Sequence, residues 1–221
     1  MSGLSFNLKT KALQKHLRKK FKPEVIEFTF INGPIKIIDE ESDGEEVFTW
    51  LNRAVTSEHD TEVVRLSGYQ FTFDYLDQII VKEGPFDGIF GFSQGSHIAS
   101  VYLAYLQSNN SKTMEALKFF VAISGFYERR AQDYLDDTLV DLKKNLPIQI
   151  PSLHVYGKKD EVITMDLSEK LAENFLEKEK SIYIHNGGHL TPCDSASLKH
   201  FTNFLCKFTC QSECIPKKNN E

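Results

Sequence analysis

The sequence predicts an α/β domain of three layers, with helices on both faces of a mostly parallel central sheet. Three observations lead there. Short apolar runs of the kind that fill buried strands recur at "GIFGF" (88–92), "KFFVAISG" (118–125), "SLHVYG" (152–157) and "KSIYIHNGG" (180–188). Stretches of helical periodicity separate them, and strands alternating with helices build parallel sheets through crossover connections. Finally, 221 residues at 41% hydrophobic and 12% aromatic content suffice for one sizeable core and are short for two. Residues 1–213 are therefore expected to form a single domain, followed by a polar tail at 214–221.

Each element has its own signal. Leu8, Ala12, Leu13, Leu17 and Phe21 recur at helical spacing until Pro23 stops the pattern, and "EVIEFTFI" (24–31) is β-branched and aromatic like a strand. The Asn32-Gly33-Pro34 turn follows. "DEESDGEE" (39–46) has nothing apolar to bury and is expected as a solvated loop. An amphipathic segment then runs through Tyr69, Phe73, Leu76 and Ile80 to Gly84-Pro85. Beyond "GIFGF", Ile98, Val101, Tyr102 and Tyr105 give a helical stripe, residues 129–145 are charged and partly helical, and "MDLSEKLAENFLEKE" and "CDSASLKHFTNFLCKF" complete the helices.

A formal charge of −5 and a pI near 5.8 exclude a global attraction to nucleic acid or anionic membrane. The basic run Lys9 to Lys22 is read as a solvated helix face. No run of about 18 apolar residues predicts a membrane span, and the N-terminus lacks the apolar core of a secretory signal, so a cytoplasmic location is expected. Cys206, Cys210 and Cys214 recur every fourth residue, with Cys193 upstream. Zinc would need a second ligand pair in step with them, so reduced thiols are expected rather than a metal.

Reactive groups in open α/β sheets collect at the carboxyl ends of strands. Three candidates lie there: Ser93 after "GIFGF", Asp160 after "LHVYGKK" and His189 after "IYIHNGG". Serine, then acid, then histidine is the chain order of α/β-hydrolases. Gly91 and Gly95 flank Ser93 at the positions where side chains on a strained strand-to-helix turn are expected to collide with their neighbours. The backbone N–H of Gln94, at the start of the following helix, is the expected oxyanion donor. Glu161 and Asp166 are rivals for the acid, and His185, inside its strand, for the base. His97 is expected on a helix surface. Phe92, Phe126 and Tyr127, at the same strand ends, are candidates for the wall of an acyl pocket.

Together "GPFDGIFGFSQG", "FVAISGF", "PSLHVYGKKDEVI" and "HNGGHLTP", with "FINGP" and the Trp50 region, resemble the FSH family of serine hydrolases over nearly the whole chain. The resemblance implies Ser93, Asp160 and His189 as the triad, with no metal and no cofactor. It also implies a small-molecule carboxylic ester or thioester as substrate, often with an apolar acyl chain. The beginning departs from the family, whose members open with a strand ending in Leu-His-Gly and take a second oxyanion N–H from the loop after it. Here "GLSFNLKTKALQKHL" matches the segment just beyond that loop, so one internal strand, between "EVIEFTFI" and "GIFGF", is expected to be missing. Each buried unpaired backbone group costs about 1–3 kcal/mol against a total stability of roughly 5–15, so a simple gap is not tolerable. An incomplete gene model or isoform is the favoured explanation; closure by neighbouring strands and recruitment of "GLSFNL" as a stub strand are the others. The rival function is a hydrolase fold with half an oxyanion hole that binds a ligand or a partner without turning it over.

Overall fold

The computed structural model describes residues 2–23, 26–39, 45–58, 61–127 and 145–209. Its centre is a four-stranded parallel sheet in the order β5 (Gly88–Phe92), β6 (Phe119–Ile123), β7 (Ser152–Gly157) and β8 (Lys180–His185). The register runs Phe92 beside Ile123, Ile123 beside Val155 and Gly157 beside His185, which brings the carboxyl ends of all four strands to one rim.

Alternation along β6 shows why three layers form. Phe120 and Ala122 pack into one apolar cluster with Tyr69 and Phe73 of α2 (Tyr69–Glu83), Val101 and Tyr102 of α3 (Gln94–Ser108) and Leu171 of α5 (Met165–Glu173). Val121 and Ile123 point the other way. They pack with Leu153 and Val155 against Leu13 and Leu17 of α1 (Gly3–Lys20) and Phe201 and Phe204 of α6 (Ser195–Leu205). Successive strand side chains face opposite ways, so a strand that is apolar at every position needs helices on both faces. A short helix, α4 (Lys112–Ala116), links α3 to β6 and was not expected. No helix among the described residues is long and apolar enough to cross a membrane.

The N-terminal third differs in three ways from readings the sequence left open or favoured. "GLSFNL" forms the first turns of α1, with the Ser2 hydroxyl accepting from Ser5 N–H at 3.1 Å and Gly3 N–H donating to Asn32 Oδ1 at 2.7 Å. It is not a stub strand: the four-residue spacing of Leu4 and Leu8 that suited a strand face also suits a helix, and here both point outward, 69% and 53% exposed. Residues 26–31 carry no strand either, while Glu24 and Val25 lie outside the described residues. Among the described residues β5 pairs only with β6, so neither segment closes a ladder on its outer side. Aromatic rings occupy that flank instead: Phe28 meets Phe90 at 6.2 Å, and Phe6 meets Phe30 at 5.9 Å and Phe92 at 6.0 Å.

The third departure is a pair of antiparallel hairpins, β1 (Ile35–Asp39) with β2 (Glu45–Thr49), and β3 (Asn52–Glu58) with β4 (Thr61–Ser67). The acidic stretch expected as loop contributes Asp39, Glu45 and Glu46 to the first, with 40–44 outside the described residues. A ladder between two strands uses backbone groups alone, so charged side chains do not forbid it. Cys193 and Cys206 are half-buried. Most of the charged 129–145 segment, Cys210, Cys214 and the 214–221 tail lie outside the described residues.

Candidate active site

Ser93 occupies the one-residue turn between β5 and α3, with φ 53° and ψ −121°. A non-glycine residue at positive φ costs on the order of 1–3 kcal/mol and persists only where its surroundings fix it. Two contacts fix it here. Ser93 N–H donates to Ile123 O at 2.9 Å, and the buried Ser96 hydroxyl both donates to Ile123 O and accepts from Ile123 N–H, each at 3.1 Å. The elbow is thus latched to the end of β6.

The flanking glycines serve different ends. A Cβ on Gly91 would lie 2.5 Å from Ser96 Cα and 2.6 Å from Ser96 N, so the elbow cannot form with a side chain there. A Cβ on Gly95 would meet only the Trp50 indole Nε1, at 3.8 Å, an ordinary contact. The expected collision at Gly95 does not exist, because the second residue of α3 faces open space. The Gln94 side chain points away from the helix axis as an anchor: its Oε1 accepts from Trp50 N–H at 3.1 Å and from the Thr49 hydroxyl at 2.9 Å. Its backbone N–H lies in the first turn of α3, where a helix supplies no acceptor.

Asp160 follows β7 in a loop pinned to the end of β8. Lys158 N–H donates to His185 O at 2.8 Å and Lys159 N–H to Gly187 O at 3.1 Å. A Cβ on Gly157 would sit 2.2 Å from Gly187 O, so only glycine permits this approach. The Asp160 side chain is wholly buried; Oδ1 accepts from Val162 N–H at 3.0 Å and Ile163 N–H at 2.8 Å, and Oδ2 faces His189 Nδ1 at 2.8 Å. Burial alone would raise the carboxyl pKa. The Ile163 N–H, the His189 imidazole and the Ser124 hydroxyl outweigh it and hold the group below its ordinary value. Since an ionised carboxylate only accepts, His189 Nδ1 carries the proton and Nε2 keeps its lone pair.

His189 is 20% exposed and rests on the Phe92 ring, 4.7 Å between centroids. The Ser93 hydroxyl makes no hydrogen bond to a described residue. Glu161 and Asp166 are both exposed, and the bond to the imidazole is made by Asp160. His185 is 5% exposed and accepts from Gly187 N–H at 3.1 Å through Nδ1, a strut beneath the turn that carries His189. His97, expected on a helix surface, is instead buried. It stacks on Phe126 at 4.9 Å, donates through Nδ1 to Phe126 O at 3.2 Å and contacts the Tyr69 hydroxyl through Nε2 at 2.9 Å. Its helix is enclosed on nearly every side, so the stripe that sequence shows understates the buried face. Phe126 and Tyr127 are buried around this histidine, whereas Phe92 is half-buried between Phe6 and His189.

Sequence reasoning missed Ser124, at φ 46° just past β6 and beside the Asp160 carboxylate, and the Thr49-Trp50 corner. The signal for Ser124 was available, since it ends a predicted strand as the other three candidates do. Nothing local marks Thr49 or Trp50.

The chain is similar to known serine hydrolases and esterases. A family model described as "Serine hydrolase (FSH1)" matches residues 1–201. "Esterase C25G4.2" of Caenorhabditis elegans is 29% identical over 204 residues, covering 91% of this chain and 86% of that protein. "Family of serine hydrolases 2" of Saccharomyces cerevisiae is 34% identical over 182 residues, covering 78% and 74%. Among solved structures, esterase PE8 superposes with a TM-score of 0.58 at 18% identity, covering 95% of this chain and 88% of that one, which shows a shared α/β-hydrolase fold.

Proposed function

The chain belongs to the FSH1 family of serine hydrolases and is an ester-cleaving enzyme, and on that premise we propose that Ser93, Asp160 and His189 are its catalytic triad. The 2.8 Å bond between His189 Nδ1 and the buried Asp160 carboxylate carries this reading, because it leaves Nε2 as a base at the rim where the strained Ser93 stands. His189 takes the hydroxyl proton as Ser93 Oγ attacks the ester or thioester carbonyl. The Gln94 N–H donates to the resulting oxyanion. Collapse transfers the proton to the leaving alcohol or thiol and forms an acyl-serine. Water, deprotonated by His189, then releases the acid. Asp160 keeps the imidazole in its reactive tautomer and stabilises the imidazolium. Apolar surface beside the site, Phe92 together with the exposed Val162 and Leu190, favours an apolar acyl chain.

A fluorophosphonate probe tests the nucleophile. Wild type is expected to be labelled and Ser93→Ala not; a folded wild type that resists labelling overturns the proposal. The unladdered outer side of β5 favours one second reading, a ligand-binding protein whose turnover is slowed about 10²–10³-fold by a single oxyanion donor. Ester turnover at the rate of an ordinary esterase rules that reading out.

A further inference from the structure

The corner between β2 and β3 is clamped over the start of α3. The Gln94 side chain holds Thr49 and the Trp50 N–H, the Thr72 hydroxyl donates to Trp50 O, and Leu51 is buried in the core at 1% exposure. With its backbone held at both ends, Trp50 places its indole over Gly95. Among the described residues, and apart from its own helix and chain neighbours, the indole Nε1 is the only atom within 4 Å of where a Gly95 Cβ would stand. Gly95 is two residues from Ser93 in the first turn of α3, which places the indole near the nucleophile and the free N–H end of that helix. Trp50 is half-buried, and its Nε1–H, a group that can only donate, makes no hydrogen bond to a described residue and is left free for a ligand.

We propose that Trp50 is a substrate-contacting residue of this site: its indole walls the opening above Gly95, and its Nε1–H donates to an oxygen of the bound ester or thioester. The inference rests on the reading of Ser93 as nucleophile. It also explains why a position with room for a methyl carries glycine, since a side chain at 95 would fill the space a substrate needs.

Trp50 is the only tryptophan in the chain, so its emission reports its own surroundings without interference. Two measurements test the proposal. Trp50→Phe keeps an aromatic wall and removes the donor; kcat/KM is expected to fall about tenfold, the worth of one hydrogen bond, while the melting temperature stays near that of wild type. In wild type, tryptophan emission is expected to shift when a phosphonate ester occupies Ser93. An unchanged kcat/KM in folded Trp50→Phe overturns the proposal, as does emission indifferent to labelling. If Trp50→Phe does not fold, the emission result decides alone. Titrating Ser93→Ala with an uncleaved ester separates the two readings: an emission change there supports Trp50 whatever residue proves to be the nucleophile, and none overturns it.

Discussion

The two sides of Ser93 are built by different means. On one side, β6, β7 and β8 form an unbroken parallel ladder, and the loops after them are stitched together by backbone hydrogen bonds from Lys158 to His185 and from Lys159 to Gly187. Asp160 and His189 hang from those stitched loops. On the other side, β5 has no second ladder among the described residues, and side chains take over: the Phe6, Phe28, Phe30 and Phe92 rings, and one glutamine holding the Thr49-Trp50 corner. Backbone ladders fix geometry largely independently of the side chains, Gly157 excepted because its loop leaves no room for a Cβ, whereas side-chain clamps depend on each residue in them. The acid and base should therefore tolerate substitution around them better than the wall formed by Trp50.

The largest expected effect tests the ladder side. Asp160→Asn presents an amide N–H to His189 Nδ1 and drives the imidazole proton to Nε2, so kcat should fall by about 10⁴ with little change in fold. A loss below tenfold would break the comparison, by showing that the stitched loops do not serve catalysis.

Acid titration comes next. Burial pushes His97 down to about 4, and burial followed by the Lys180 charge pushes His154 down to about 3. Between pH 6.5 and 4 the unfolded chain binds protons at both positions and the folded protein does not, so stability falls as pH is lowered, by about 1.4 kcal/mol per pH unit for each histidine. Asp160 acts at lower pH. Its depressed pKa contributes stability above the ordinary carboxylate range that is lost as pH falls through the folded value. His97 lies on the elbow side and His154 within β7, so His154→Phe should reduce the slope of unfolding free energy against pH between 6.5 and 4. Burial also lowers the His185 pKa, so the loss expected for His154→Phe is one histidine's share, about 1.4 kcal/mol per pH unit, and an undiminished slope would show that His154 does not contribute.

The smallest effects contrast two glycines. Gly91→Ala forces a Cβ into the Ser96 backbone and should cost about 1–3 kcal/mol in denaturant unfolding, lowering activity with it. Gly95→Ala enters open space in a helix and should stabilise the fold by about 0.5–1 kcal/mol, while kcat/KM drops as the methyl narrows the gap beneath Trp50. If Gly95→Ala kept full activity, the opening would not be where substrate binds.

Much of this was legible in the chain itself, for local reasons. Four strands announce themselves as short apolar runs, most clearly the buried β6 and β7, and their ends carry Ser93, Ser124, Asp160 and His189 in fixed register. The elbow shows in "GFSQG" because the Gly91 constraint comes from Ser96, only five residues away. The N-terminal third was misread where the deciding partner is distant. Strand-like "EVIEFTFI" is no strand over 26–31, since a strand needs a partner to pair with and these residues ladder with none among the described residues, and His97 is buried by Tyr69 and Phe126, each more than 25 residues away.

By itself the sequence determined the class of fold, the order of nucleophile, acid and base, and the strained turn at Ser93, because each depends on residue types within a few positions of one another. Only the tertiary structure decided that Oδ2 of Asp160 meets His189 and that Trp50 comes to stand over Gly95. Those contacts join segments from separate elements. Which of them meet is set by how β5 to β8 stack and by what fills the outer side of β5, and no local pattern encodes that.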